Sequence, residues 1–215
     1  MSEIKLPDYK LSEELMNSIT HGIGAGLGIA ALVLCLVKSA AHGNPWAVVA
    51  SALYGAGVIM VFTISCIYHA LARNKGKKVM RVIDHCDIFF MIACTYMPYC
   101  LVSLRGVAGW VLFGIVWGLA ALGIVFNAVN LEKYSVPSTI VYVLLGWSII
   151  VLYKPLVAAI SLEGAMYLIG GGILYTIGAV LYALGKKKRY MHSVFHVFVI
   201  AGSILHFFSI YLYVI

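Results

Sequence analysis

The chain has 215 residues, of which 63% are hydrophobic and only 11% charged, whereas a soluble domain is roughly half apolar and a quarter charged. This excludes a soluble globular enzyme or adaptor and predicts one all-α domain surrounded by membrane lipids. A net charge of +7 would suit nucleic acid only if the cations shared one exposed face. They instead punctuate apolar runs, so nucleic-acid binding is not expected.

Residues 1–17 carry both signs of charge and predict an N-terminal cytoplasmic segment ahead of a membrane domain over 18–215. The first apolar run is too long, and its leader too acidic, for a cleaved signal peptide. Apolar runs at 18–39, 46–72, 80–103, 107–130, 136–153, 164–185 and 190–215 predict a seven-transmembrane helix bundle, since about 18 or more apolar residues suffice to cross a bilayer. The breaks between them are polar or glycine-rich, from His42-Gly43-Asn44-Pro45 to the Lys154–Gly164 stretch, which is the most apolar and the least distinct. Most lysines and arginines fall at the N-terminus and in the second, fourth and sixth connections. This predicts a cytoplasmic N-terminus and a C-terminus outside.

Against that frame the polar residues inside the spans acquire depths. His69 lies four residues before Arg73, Asp84 three after Arg81, and His192 three after Arg189, with His196 one turn deeper. At about 1.5 Å per residue these groups share a level just below the cytoplasmic surface. Spacing by four puts His192 and His196 on one helix face, and Ser65 and His69 on another. Three neutral imidazoles with a free fourth position suit a catalytic zinc ion (Zn2+), with Asp84 holding water beside it. The same histidines also suit plain polar capping at the headgroup level, and spacing leaves both readings open.

Other polar residues are secondary. Glu14, Asn17 and His21 share a face that could cover the same pocket or simply begin a solvated helix, and Asp87, one turn deeper than Asp84, could compete with it. His85 points away from Asp84, and His206, too far along the last span for the same site, predicts an interhelical hydrogen bond. His42 falls in an outer connection. Cys35, Cys66, Cys86, Cys94 and Cys100 form no C-x-x-C pair and read as small buried side chains. The glycine runs lack a following GK[ST] and predict close helix packing.

The segments EELMNSITHG (13–22), SCIYHA (65–70), IDHCDIFFMIACTYMP (83–98) and HSVFH (192–196), in this order along nearly the whole chain, resemble the bacterial hemolysin III branch of the progestin and adipoQ receptor (PAQR) family. The resemblance implies seven helices with a cytoplasmic N-terminus, zinc on His69, His192 and His196, and Asp84 reaching it through water. It also implies a multi-pass protein of the bacterial inner membrane. Asp87, Cys94 and Met97 depart from the family's pattern in ways that could change pocket polarity. The bacterial branch lacks the long N-terminal domain of the animal receptors, so no hormone binding is carried over.

The expected function is metal-dependent hydrolysis of a lipid amide or ester in membrane lipid homeostasis, with Asp84 as base and Ser65 donating to the developing oxyanion. Two alternatives belong to other classes: a pore-forming, hemolytic protein, and a membrane-lipid sensor in which zinc is structural.

Overall fold

The computed structural model describes residues 4–185 and 188–215. Met1–Glu3 of the expected N-terminal segment, and Lys186 and Lys187 of the basic run before the last span, lie outside the described residues. Six helices account for most of the chain: α1 (Leu11–Ala41), α2 (Pro45–Ala70), α3 (Lys75–Pro98), α4 (Val107–Trp147), α5 (Tyr153–Leu184) and α6 (Met191–Tyr213). No β-strand occurs among the described residues, and the all-α class holds.

Local chemistry fixes several of the ends. Glu13 reaches back to accept the Lys10 N–H at 3.1 Å, closing the start of α1. Asn44 accepts the N–H groups of Trp46 and Ala47, with Pro45 in the first turn of α2, and Asn74 accepts that of Lys77 at 2.9 Å to open α3. Pro98 cannot donate to the preceding turn. The chain passes there into a π-helical turn, Tyr99–Ser103, in which the Leu104 N–H bonds the Tyr99 carbonyl at 2.8 Å.

Among the described residues five segments are long and apolar enough to cross a membrane, rather than seven, because the expected fourth, fifth and sixth spans run together over Val107–Leu184. The helical stretch is interrupted at single residues instead of at loops. Asn130 is non-helical (φ −157°, ψ 84°), and its side chain accepts the Lys133 N–H at 3.1 Å, restarting the helix at once. A short 3-10 turn, Ser148–Leu152, follows, and Ser161 takes a left-handed conformation (φ 63°) with its hydroxyl on the Glu163 carboxylate. The break expected at Glu132–Ser135 stays helical because Glu132 is neutralised by Arg81 and accepts the Lys5 backbone N–H.

Neighbouring helices pack in sequence order, and α1 also meets α6, closing the bundle. The polarity of α1 is inverted relative to a soluble helix. Its buried face carries Glu13, Asn17, His21 and Ser39, while Leu15, Ile19, Ile23 and Val37 are exposed. Gly55 allows the closest approach of α1 to α2, since a Cβ there would stand 2.6 Å from the Leu32 Cβ. The core below the polar end is aromatic, with Tyr54, Phe62, Phe89 and Tyr99 nearly inaccessible.

Candidate metal centre

His69 occupies the last turn of α2, and His192 and His196 lie one turn apart at the start of α6. The bundle brings the three together. Nε2 of His192 is 3.2 Å from Nε2 of His69 and 3.0 Å from Nε2 of His196, and a ligand atom from each ring lies within 4.8 Å of the others. A tetrahedral ion with Zn–N bonds of about 2.0–2.1 Å sets its ligand nitrogens about 3.3–3.4 Å apart, so the spacing fits such an ion.

The far side of each ring decides which nitrogen is free. Nδ1–H of His69 donates to Glu14 Oε2 at 2.6 Å. Nδ1–H of His196 donates to the Asn17 carbonyl and the Thr20 hydroxyl, both at 3.2 Å. With those protons on Nδ1, both rings present bare Nε2 lone pairs to His192. A single proton on His192 could serve only one of the two approaches; a cation serves all three. Acceptors behind the rings are the usual means by which a protein orients histidine ligands.

Helix α1 supplies these supports, so Glu14, Asn17 and His21 cover the pocket. Glu14 is also paired with Lys77, its Oε1 2.7 Å from the ammonium. The Asn17 side chain accepts the Ser193 hydroxyl at 2.5 Å, tying α1 to the ligand helix. His21 stacks on His196 with ring centroids 3.4 Å apart and meets the edge of Phe62. On the opposite flank Tyr9 stacks against His192 at 5.3 Å. Burial raises the Tyr9 phenol above its ordinary value, with Tyr182, Tyr68 and Glu14 adding to the effect.

Asp84 and Ser65 complete the polar end. Both line the cavity that holds His192 and His196, and the Ser65 hydroxyl is turned to the Asp84 carboxyl, with His69 near by. Beyond this end the cavity continues between walls of Met91, Thr95, Tyr96, Tyr99, Tyr175 and Val199. Its tyrosine hydroxyls are bonded within the protein: Tyr96 to the Leu145 carbonyl, Tyr99 to Ser209, Tyr175 to Ser203. The remaining space is therefore predominantly apolar.

Of the other singled-out residues, His85, expected to point away from Asp84, and His206 also line this cavity. His206 donates from Nε2 to the Leu168 carbonyl at 3.1 Å, the interhelical bond expected of it, and His42 packs against the Lys38 carbonyl. Asp87 is buried outside the cavity wall and does not compete with Asp84, and Cys94 and Met97 are likewise off that wall. All five cysteines are free thiols. Lys77, Thr20, Ser193 and Tyr9 are site residues that motif reading passes over. For Lys77 a signal existed: it lies seven residues before Asp84, on the same face of α3.

The family described as Haemolysin-III related matches residues 9–207. Hemolysin-3 of Bacillus cereus is 39% identical over 205 residues, covering 95% of this chain and 93% of its own length. The Hemolysin-3 homolog of Bacillus subtilis (strain 168) is 38% identical over 205 residues, covering 95% and 96%. The human monocyte to macrophage differentiation factor is 25% identical over 211 residues, covering 94% and 84%. A match over most of the chain, together with the multi-pass helical bundle and the histidine cluster at its polar end, shows that the chain belongs to the haemolysin-III-related family, within the wider PAQR family.

Proposed function

We propose that the protein is a seven-crossing, zinc-dependent lipid amide or ester hydrolase of the bacterial inner membrane, with its N-terminus in the cytoplasm. The observation that carries this reading is the convergence of three Nε2 atoms at the polar end of an otherwise apolar cavity.

Two single-residue breaks support the crossing count. Glu132, just after Asn130, meets Arg81 and Lys5 at the basic end of the bundle. Gly164, just after Ser161, meets Tyr213 and Ser209 at the opposite end. The stretch between α3 and α6 thus runs to the basic end, back, and to the basic end again, which supports three crossings within Val107–Leu184. Basic residues concentrated at one end support the cytoplasmic assignment of that end.

His69, His192 and His196 would hold zinc through Nε2. When bound, zinc supplies a Lewis acid that polarises a carbonyl and lowers the pKa of water. Asp84, oriented by Ser65, accepts the proton of the attacking water and returns it to the leaving nitrogen or oxygen as the acyl bond breaks. The apolar walls accept the chain of a lipid whose polar linkage sits at the histidine end, where Tyr9 and His21 flank the site and limit bulk water.

Elemental analysis and a panel of lipid amides and esters test the reading. Wild type and His206→Ala are expected to carry zinc in equal measure with the chain, and His192→Ala to lose it together with all turnover. Zinc-loaded wild type without turnover on the panel would refute the hydrolase. Liposome leakage that persists in His192→Ala would favour the membrane-permeabilising role suggested by the names of the bacterial relatives.

A further inference from the structure

Lys77 is among the least accessible charged groups in the protein, at 2% exposure, although it stands in the first turn of α3 among lysines that face water. A lysine is rarely so buried without a partner that requires it. Its ammonium is 2.7 Å from Glu14 Oε1 on α1, donates to the Leu71 carbonyl at 2.9 Å and the His69 carbonyl at 3.4 Å at the end of α2, and lies over the Tyr68 ring at 5.2 Å. The other Glu14 oxygen accepts Nδ1–H of His69 at 2.6 Å. One lysine on α3 therefore grips the residue behind a histidine ligand and also the backbone that carries that ligand.

From this geometry we infer that Lys77 and Glu14 form a positioning dyad, in which Lys77 fixes the Glu14 carboxylate so that His69 is held in its Nδ1–H tautomer with Nε2 turned into the cluster. The inference rests on the metal-site reading, but its first consequence needs no metal. Without Lys77 the carboxylate loses the contact that fixes one oxygen and is free to rotate away from the imidazole. Without Glu14 the Nδ1–H loses its charged acceptor, and the ring samples both tautomers and both flips. Lys77 reaches the His69 imidazole only through Glu14, its other bonds being to backbone carbonyls, so in a dyad the two losses of tautomer control cannot add.

The test uses the full-length protein in detergent with 15N-labelled histidine, alongside cobalt(II) as a spectroscopic substitute for zinc. Metal-free wild type is expected to show His69, assigned by its absence in His69→Ala, as a single Nδ1–H tautomer. Lys77→Met and Glu14→Gln are expected to give tautomer mixtures, with Lys77→Arg restoring the wild-type pattern. For cobalt, each of Lys77→Met and Glu14→Gln should weaken binding by about 10–100-fold, the usual consequence of removing an outer partner of a ligand. The double variant should bind no worse than Glu14→Gln alone.

A mixed His69 tautomer in metal-free wild type, a fixed one in Lys77→Met, or multiplicative affinity losses in the double variant would each overturn the dyad. If wild type shows the fixed tautomer yet takes up neither cobalt nor zinc, the metal-site reading fails while the dyad stands.

Discussion

Gly123 on α4 offers a direct measure of how tightly the helices beneath the histidine cluster are packed. A methyl group at that position would stand 2.2 Å from Cζ of Phe89 and 2.4 Å from each of its Cε atoms. The ring cannot retreat cheaply. Phe89 is 1% exposed and lies against Tyr142 with ring centroids 4.4 Å apart. The Tyr142 hydroxyl in turn donates to the His85 carbonyl and accepts from Asn127. Gly123→Ala therefore forces α3 and α4 apart, with a cost of about 1–3 kcal/mol as for other overpacked cores. Gly118 lies on the same helix with nothing within 4 Å of its added Cβ, so Gly118→Ala shares the helix-propensity gain of about 1 kcal/mol and none of the clash. The difference between the two variants isolates the clash. At about 2–4 °C per kcal/mol for a chain of this size, it corresponds to a gap of about 2–12 °C in thermal midpoint. Size-exclusion chromatography of heated, detergent-solubilised protein reads that gap. Equal midpoints for Gly123→Ala and Gly118→Ala would refute the packing described, and Phe89→Leu should rescue Gly123→Ala if it is right.

Two further outcomes follow from the basic end of the bundle. Because burial favours the neutral Tyr9 phenol in the folded protein, its contribution to stability is fully present below the ordinary tyrosine pKa of about 10 and is lost as pH rises beyond it. Phenolate absorbance at about pH 10 should be the same in wild type and Tyr9→Phe; a deficit in the variant would show that Tyr9 is not buried. Arg73 pairs with Asp8 at 3.4 Å through side chains 54% and 103% exposed, so Arg73→Ala should cost less than about 1 kcal/mol. Arg73 also donates to the Pro7 carbonyl at 2.9 Å, so amide exchange over residues 4–9 should quicken in that variant, as measured by mass spectrometry.

The histidine cluster was legible because helical spacing and distance from flanking arginines are both one-dimensional quantities. His192 and His196 had to share a face, and His69 had to lie at the same depth. The shared face of Glu14, Asn17 and His21 was legible for the same reason, although only the packing of α1 between α2 and α6 decided that it faced inward. The ends of the middle helices were not legible. Glu132–Ser135 looks like a loop on polarity, yet Arg81 and the Lys5 backbone satisfy Glu132 and leave it helical, while Asn130 makes the break with its dihedral angles alone. Lys77 shares a helix face with Asp84, but a lysine among lysines reads as interfacial charge, and its burial depends on Glu14, far away in sequence. Ser65 shares a helix face with His69, whereas its contact with Asp84 depends on how α3 packs against α2.

The contact between His69 and His192 joins residues 123 positions apart in the chain, and this governs the order in which the protein can be made. Synthesis runs from the N-terminus at roughly 5–20 residues per second, so α1 and α2 are inserted several seconds before α6 exists. Throughout that interval Asn17 is without Ser193, and His69 without His192. The polar end can close only when Ser193 and His196 arrive to engage Asn17 and Thr20. Completion of the cluster is thus the late, long-range step of biogenesis, and a ribosome stalled after α5 would leave a bundle with its most polar surface unsealed.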